Sequence, residues 1–219
     1  MKEELVPNIS HDDFANDAEI LKHRRETEAY NKMIEECISI LDREFNIKSS
    51  SHSDLHAFSL YNCLYEPKLI RSFEANSPII ELSIFIVRYF SSAHLARGST
   101  GDYDNYLFGL LNFSRIFPKT IMVRETVREK IEDVFTKLEI DFPLAKSFSS
   151  RFYVVTESKE QLEQLIGNKP LDDLTAFPDM EVEIHGKLCL FRLSRNNISI
   201  EETKKFIELA KQLNRVLNN

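Results

Sequence analysis

Residues 79–90 read IIELSIFIVRYF. Ile80, Leu82, Ile84 and Ile86 alternate with Glu81, Ser83, Phe85, Val87 and Tyr89. Alternation with period two puts the four aliphatic side chains on one face of an extended strand. The other face mixes polar and apolar residues, which predicts a partly covered second side. Glu81, Ser83 and Arg88 interrupt the run, so it falls short of the roughly 20 apolar residues a membrane helix needs.

On either side of this strand the text continues in β rhythm. His56–Tyr61 alternates with aromatics, Leu69–Phe73 is short and mixed, Tyr103–Phe113 is a further strand, and Thr120–Arg124 follows Pro118 as another. Arg97–Asp102, with two glycines, reads as a loop. Residues 55–125 thus predict an antiparallel sheet of four or five strands.

Upstream, residues 12–46 read as one long helix. Tyr30, Ile34, Cys37, Leu41 and Phe45 recur at three- and four-residue steps and form one stripe. Ser10, with Asp12 and Asp13 behind it, suits a helix start, because early acids complement the dipole. The first half is different. Phe14, Ala18 and Leu21 make a short apolar stripe, and Lys22 to Glu28 are then polar on every face. A helix that is polar all round for two turns gains nothing from a core. Residues 1–28 are therefore expected to project from the body and to offer Phe14, Ala18 and Leu21 to a protein partner or to a second copy in a weak homodimer. Residues 48–54, KSSSHSD, read as a polar linker.

Downstream the rhythm changes. Thr126–Lys137 is an amphipathic helix and Arg151–Thr156 a strand. Lys159–Ile166 is a helix closed by Gly167, and Pro170 opens a short helix that runs to Phe177. Met180, Val182 and Ile184 share a face, and Cys189 and Phe191 return to it. This predicts a β-hairpin turning at His185-Gly186, with Glu181 and Glu183 on the opposite face. Ser199 and Glu202 have capping-box spacing. Phe206, Leu209, Ala210, Leu213, Val216 and Leu217 then form the stripe of a closing helix.

The fold expected is α+β: a long N-terminal helix, an antiparallel sheet, then helices, a hairpin and a C-terminal helix packed on the sheet. Residues 29–219 read as one domain, with a helix-plus-sheet part (29–125) and a helix-strand-hairpin-helix part (126–219).

Composition narrows the function. The 219 residues carry 28 basic and 35 acidic side chains, a net charge of −7, which is not the footprint of a nucleic-acid binder. Five glycines, where usage near 7% would give about 15, argue against Rossmann and P-loop enzymes. The three cysteines, Cys37, Cys63 and Cys189, are odd in number and form no CxxC, so neither a disulfide framework nor a zinc knuckle is expected. The 16 phenylalanines and 7 tyrosines are interleaved with aliphatics and read as core. The polar, acidic N-terminus MKEELVPNIS is not a secretory signal, and a cytoplasmic chain that does not insert in a membrane is expected.

His52, Asp54 and His56 have metal-compatible spacing but lack the glutamate of HExxH and any further ligand, so no metal is expected. Gly98-Ser-Thr-Gly101 lacks the lysine of a P-loop and reads as a plain connection. Asp102, Asp104 and Asn105 begin like a calcium loop but lack its turn glycine and closing glutamate. Cys63 reads as a small hydrophobe in an aromatic strand. Asp172 and Asp173 suit the dipole of a first turn. Lys22, Arg24 and Arg25 are balanced by Asp17, Glu19, Glu26 and Glu28. No catalytic residue, cofactor or metal emerges.

Ser150-Arg151-Phe152-Tyr153-Val154, then Glu157, Leu162 and Leu165, then the strand text of Met180–Phe191, resembles an uncharacterised bacterial family. That family joins an Ser-Arg-Phe-x-Val strand to an acidic turn, a Leu-rich helix, a Glu- and Leu-rich strand pair and a terminal helix. The resemblance spans His56–Ser194 and implies the fold alone. Family members often look membrane-anchored upstream, and no such segment is read here. The function expected is a non-enzymatic protein-interaction or scaffold domain. The alternative is a hydrolase-type enzyme whose site is assembled from distant residues.

Overall fold

A computed structural model describes residues 11–51, 55–91, 102–124, 140–193 and 197–218; side chains at 11–20, 22, 23, 91, 102 and 103 are outside the description. Helix α1 runs His11–Phe45. Asn46 ends it in the left-handed region (φ 49°), a conformation asparagine tolerates well, and its N–H returns to the Asp42 carbonyl at 2.7 Å. Strand β1 (Ile47–Ser49), a 3₁₀ turn (Leu55–Ala57) and the short helix α2 (Ser59–Asn62) follow. Strands β2 (Lys68–Ala75), β3 (Leu82–Ser91) and β4 (Asp102–Arg124) come next. Then come α3 (Lys146–Ser149), β5 (Phe152–Thr156), α4 (Lys159–Ile166), a 3₁₀ helix (Leu171–Ala176), β6 (Met180–Leu193) and α5 (Ile200–Leu213). A π-helical turn at Asn214–Asn218 continues α5.

The six strands form one antiparallel sheet, and the α+β architecture has the expected helix at each end. β4, 23 residues long, is its spine. Its first half pairs with β3 (Leu82↔Leu111 to Ser91↔Asp102) and its last five residues pair with β5 (Thr120↔Thr156 to Arg124↔Phe152). β6 runs along the opposite edge of β4, from Phe108↔Arg192 to Met122↔Val182.

Both faces of the sheet are covered. Beneath α1 and α5 lie Ile80, Leu82, Ile84 and Ile86, joined by Met122, Val154, Val182 and Phe191 and met by Cys37, Leu41, Phe206 and Leu213. On the other face Phe85, Val87, Phe108, Ile121, Tyr153 and Leu190 are buried beneath Leu55, Phe58, Leu60 and Tyr61. The strand at 79–90 therefore has the inward face expected of it, and its second face is more fully covered than its sequence implied. Gly109 sits where a Cβ would fall 2.1 Å from the Phe191 ring, so the sheet admits that ring only over a glycine.

Four expectations are corrected. Part of the linker at 48–54 is strand, because β1 pairs with β2 (Lys48↔Glu74). The alternation at His56–Tyr61 belongs to a 3₁₀ turn and a four-residue helix, whose backbone bonds close locally, as in Cys63 N to Ser59 O at 2.9 Å. The two strands at 103–113 and 120–124 are one strand. Its pairing with β6 shifts register between Asn112 and Phe117 and again between Phe117 and Thr120. Those bulges bend β4 and accommodate Pro118, which has no N–H to give a ladder.

The hairpin at 180–191 is also a single strand, since both of its halves pair with β4. The inward set does switch from even to odd numbers between Ile184 and Cys189, but a kink makes the switch. Gly186, opposite Phe117, takes φ +64°, and the chain continues in its original direction.

The closing helix carries its expected cap, Ser199 accepting the Glu202 N–H, and α4 is capped by Ser158, which accepts the Gln161 N–H. The expected helix at 126–137 and the loop at 97–101 lie outside the described residues. Among the described residues no helix is long and apolar enough to cross a membrane.

Candidate functional site

Two places in the fold hold polar chemistry or unused surface. The first is the sheet face under residues 55–65. The kink at Gly186 sends Glu181 and Glu183 from one half of β6, and Leu190 and Arg192 from the other, to this same side. Arg192 Nε donates to Glu181 Oε2 at 2.6 Å, and both side chains are under a tenth exposed. The guanidinium lies over Tyr106 and Phe108, 5.7 and 5.3 Å from the ring centroids. Tyr106 is joined hydroxyl to hydroxyl with Tyr89 at 2.8 Å. Burial opposes the Arg192 charge, but the Glu181 carboxylate outweighs it with help from the Cys63 and Tyr106 side chains, and the group is held above its ordinary range. Burial likewise pushes both tyrosine hydroxyls up.

Glu183 is fully buried. Its Oε2 accepts the Leu60 N–H at 2.9 Å, while Oε1 has no hydrogen-bond partner. Leu60 lies in the first turn of α2, whose N-cap, Phe58, has no side-chain acceptor. Glu183 thus supplies from 123 residues away the acceptor that a local cap would have given.

Cys63 closes α2 on the exposed rim of this cluster, and its thiol donates to the Leu60 carbonyl at 3.2 Å. The expectation of a buried strand cysteine is corrected: the residue is a helix-end cysteine at the surface. Desolvation pushes its thiol up; Arg192 pulls it back down, and Glu181 and Glu183 add smaller pushes upward. A nucleophilic cysteine needs the reverse setting. Chemically the cluster is a closed ion pair and a long-range helix cap that leaves one carboxylate oxygen of Glu183 without a partner. From sequence alone Glu181 and Glu183 read only as the outer face of a strand. The signal available was Arg192, a cation inside the apolar run CLFRL, which on a strand demands a buried partner.

The second place is the end of α1. The helix docks from Tyr30 onward. The Tyr30 hydroxyl accepts from Asn105 Nδ2 at 2.6 Å, and Asn105, 3% exposed on β4, also accepts from Arg88 Nε at 3.2 Å. The Asn105 N–H donates to Asn197 Oδ1 at 2.7 Å, so one amide ties α1, β3 and the approach to α5 together. Asp104 accepts from Asn197, a structural use for part of the text that began like a calcium loop.

Before Tyr30 the packing stops. Leu21 is 53% exposed, and Arg24, Arg25, Glu26, Thr27, Glu28 and Ala29 are all exposed. Arg24 pairs with Glu28 one turn on at 3.2 Å. Positions 14 and 18 lie on the same helix, about two turns and one turn before Leu21.

The remaining candidates have structural places or fall outside the description. Asp172 Oδ1 accepts the Phe148 N–H at 2.8 Å, and Asp173 pairs with Arg215 at 2.6 Å. His56 packs edge-on against Tyr61, while His52 and Asp54 are outside the described residues. Among the described residues no group of three or more His, Cys, Asp and Glu side chains could hold a metal. Compared with known proteins, the sequence matches no family model and no curated protein, so the functional reading rests on the chemistry of these two places.

Proposed function

We propose that this chain is a non-enzymatic protein-interaction or scaffold domain, in which residues 29–219 form the body and the N-terminal half of α1 is the contact element. The observation that carries the reading is the abrupt end of packing on an unbroken helix: every described side chain from Leu21 to Ala29 is exposed, and docking begins at Tyr30. A helix in a monomer draws most of its stability from an apolar face on a core. Two turns that are polar all round cannot supply one without burying charge. The apolar positions 14, 18 and 21 beyond those turns are then available to another molecule. On the other sheet face the Arg192–Glu181 pair is closed on itself and Glu183 caps α2, which are structural uses for those charges.

A chain starting at Ala29 tests this. Its urea-unfolding midpoint is expected to match that of the full chain, while an association seen by light scattering with the full chain is lost. A large loss of stability would assign residues 1–28 to the core and overturn the reading.

A further inference from the structure

The projecting half of α1 carries its charges in blocks. Asp12, Asp13, Asp17 and Glu19 come first, and Lys22, Arg24 and Arg25 follow with one acid, Glu26, behind them. We propose that two copies of this chain associate by antiparallel pairing of residues 12–27 of α1. This rests on the reading of that half as the contact element and names its partner, a second copy.

The order of charges selects the direction. In a parallel, in-register pair each block would face its own copy, acid on acid and base on base. Antiparallel alignment with position 18 opposite the partner's Leu21 runs positions 12–17 opposite 27–22 of the second copy. Asp17 then stands across from the partner's Lys22 and Asp13 across from the partner's Glu26; the segment 12–19, with four acids and no lysine or arginine, faces 20–27, with three bases and one acid, so the balance is attractive.

Positions 14, 18 and 21, spaced four and three apart, share one helix face and form the seam. The same contact made twice about a two-fold axis is a closed interface, so association stops at the dimer. The overlap of sixteen residues is about 24 Å long. Docking to the body starts at Tyr30, outside the overlap, so the two bodies stand at opposite ends of the paired helices. Arg24 is held to Glu28 only at the surface, with the two side chains 75% and 67% exposed. Such a pair is worth little and does not withhold Arg24 from the partner's acids.

The test is sedimentation equilibrium of the full chain from micromolar to millimolar concentration, at low and high salt. The expected result is a monomer–dimer equilibrium that weakens as salt screens the opposed blocks. Changing Lys22→Glu, Arg24→Glu and Arg25→Glu together should weaken it at least tenfold, as should Asp12→Lys, Asp13→Lys and Asp17→Lys together. Mixing the two variants should restore association between them. Unchanged unfolding midpoints show that the variants are folded.

A dimer that strengthens with salt, or one indifferent to either block reversal, overturns the antiparallel pairing. So does a full chain that stays monomeric throughout. If it stays monomeric while the chain starting at Ala29 keeps its stability, only the second-copy partner is lost. If that shorter chain unfolds, the contact-element reading falls as well.

Discussion

Replacing Arg192 with alanine is expected to cost about 3–5 kcal/mol of folding free energy, measured as a shift in the urea-unfolding curve. The magnitude comes from what remains. Glu181 would stay nearly buried with no cation beside it, next to a second buried carboxylate, Glu183, that already has one oxygen without a partner. The guanidinium also covers Tyr106 and Phe108, so its removal opens a gap over two rings. The companion variant carrying both Arg192→Met and Glu181→Leu should recover most of the loss, because removing both ions ends the desolvation of each. A loss below about 1 kcal/mol in the single variant would mean that the pair is solvated and is worth no more than a surface ion pair.

Leu213→Ala should cost about 2–5 kcal/mol. Leu213 is fully buried in the last turn of α5, in the same core as Cys37 and Leu41 of α1. The surroundings cannot easily collapse on the space left behind: Val216 and Leu217 in the following π-helical turn are fully buried, and Phe206 is stacked on Phe191 with centroids 5.0 Å apart. Thermal or urea unfolding checks this. A change under about 0.5 kcal/mol would make α5 peripheral to the fold.

The elements read correctly from sequence are those whose cause is local. α4 and α5 carry a serine cap at one end and an apolar stripe along one face, and β3 and β5 show their rhythm within a few residues. The errors have non-local causes. A switch of inward parity around Gly186 is compatible with a turn or with a kink, and the choice is made by β4, a strand long enough to pair with both halves of β6. Pro118 looked like a boundary because a ladder needs its missing N–H, yet the bulges beside it remove that need.

The site on the second face was the least legible part. Glu181 and Glu183 look like a solvated strand face until the sheet is known to be covered on both sides, and the cover comes from the distant segment 55–65. The end of packing before Tyr30 is legible because its signal is a break in the helix's own pattern.

The core beneath α1 joins the first helix of the chain to the last. Its α1 side is complete at Phe45, but its α5 side arrives only with Phe206 to Leu217. The end of α5, Leu213, comes 168 residues after the end of α1, Phe45, and a ribosome adding about 5–20 residues per second takes roughly 10–30 s to make that stretch. For that interval the stripe of Cys37, Leu41 and Phe45, and the sheet face forming beneath it, have no permanent cover. Nascent chains arrested before Phe206 should therefore be digested readily by protease, and released full-length chains should resist. The N-terminal half of this protein cannot be finished ahead of the C-terminal half, because the cover of the α1 stripe is complete only when the final helix has emerged.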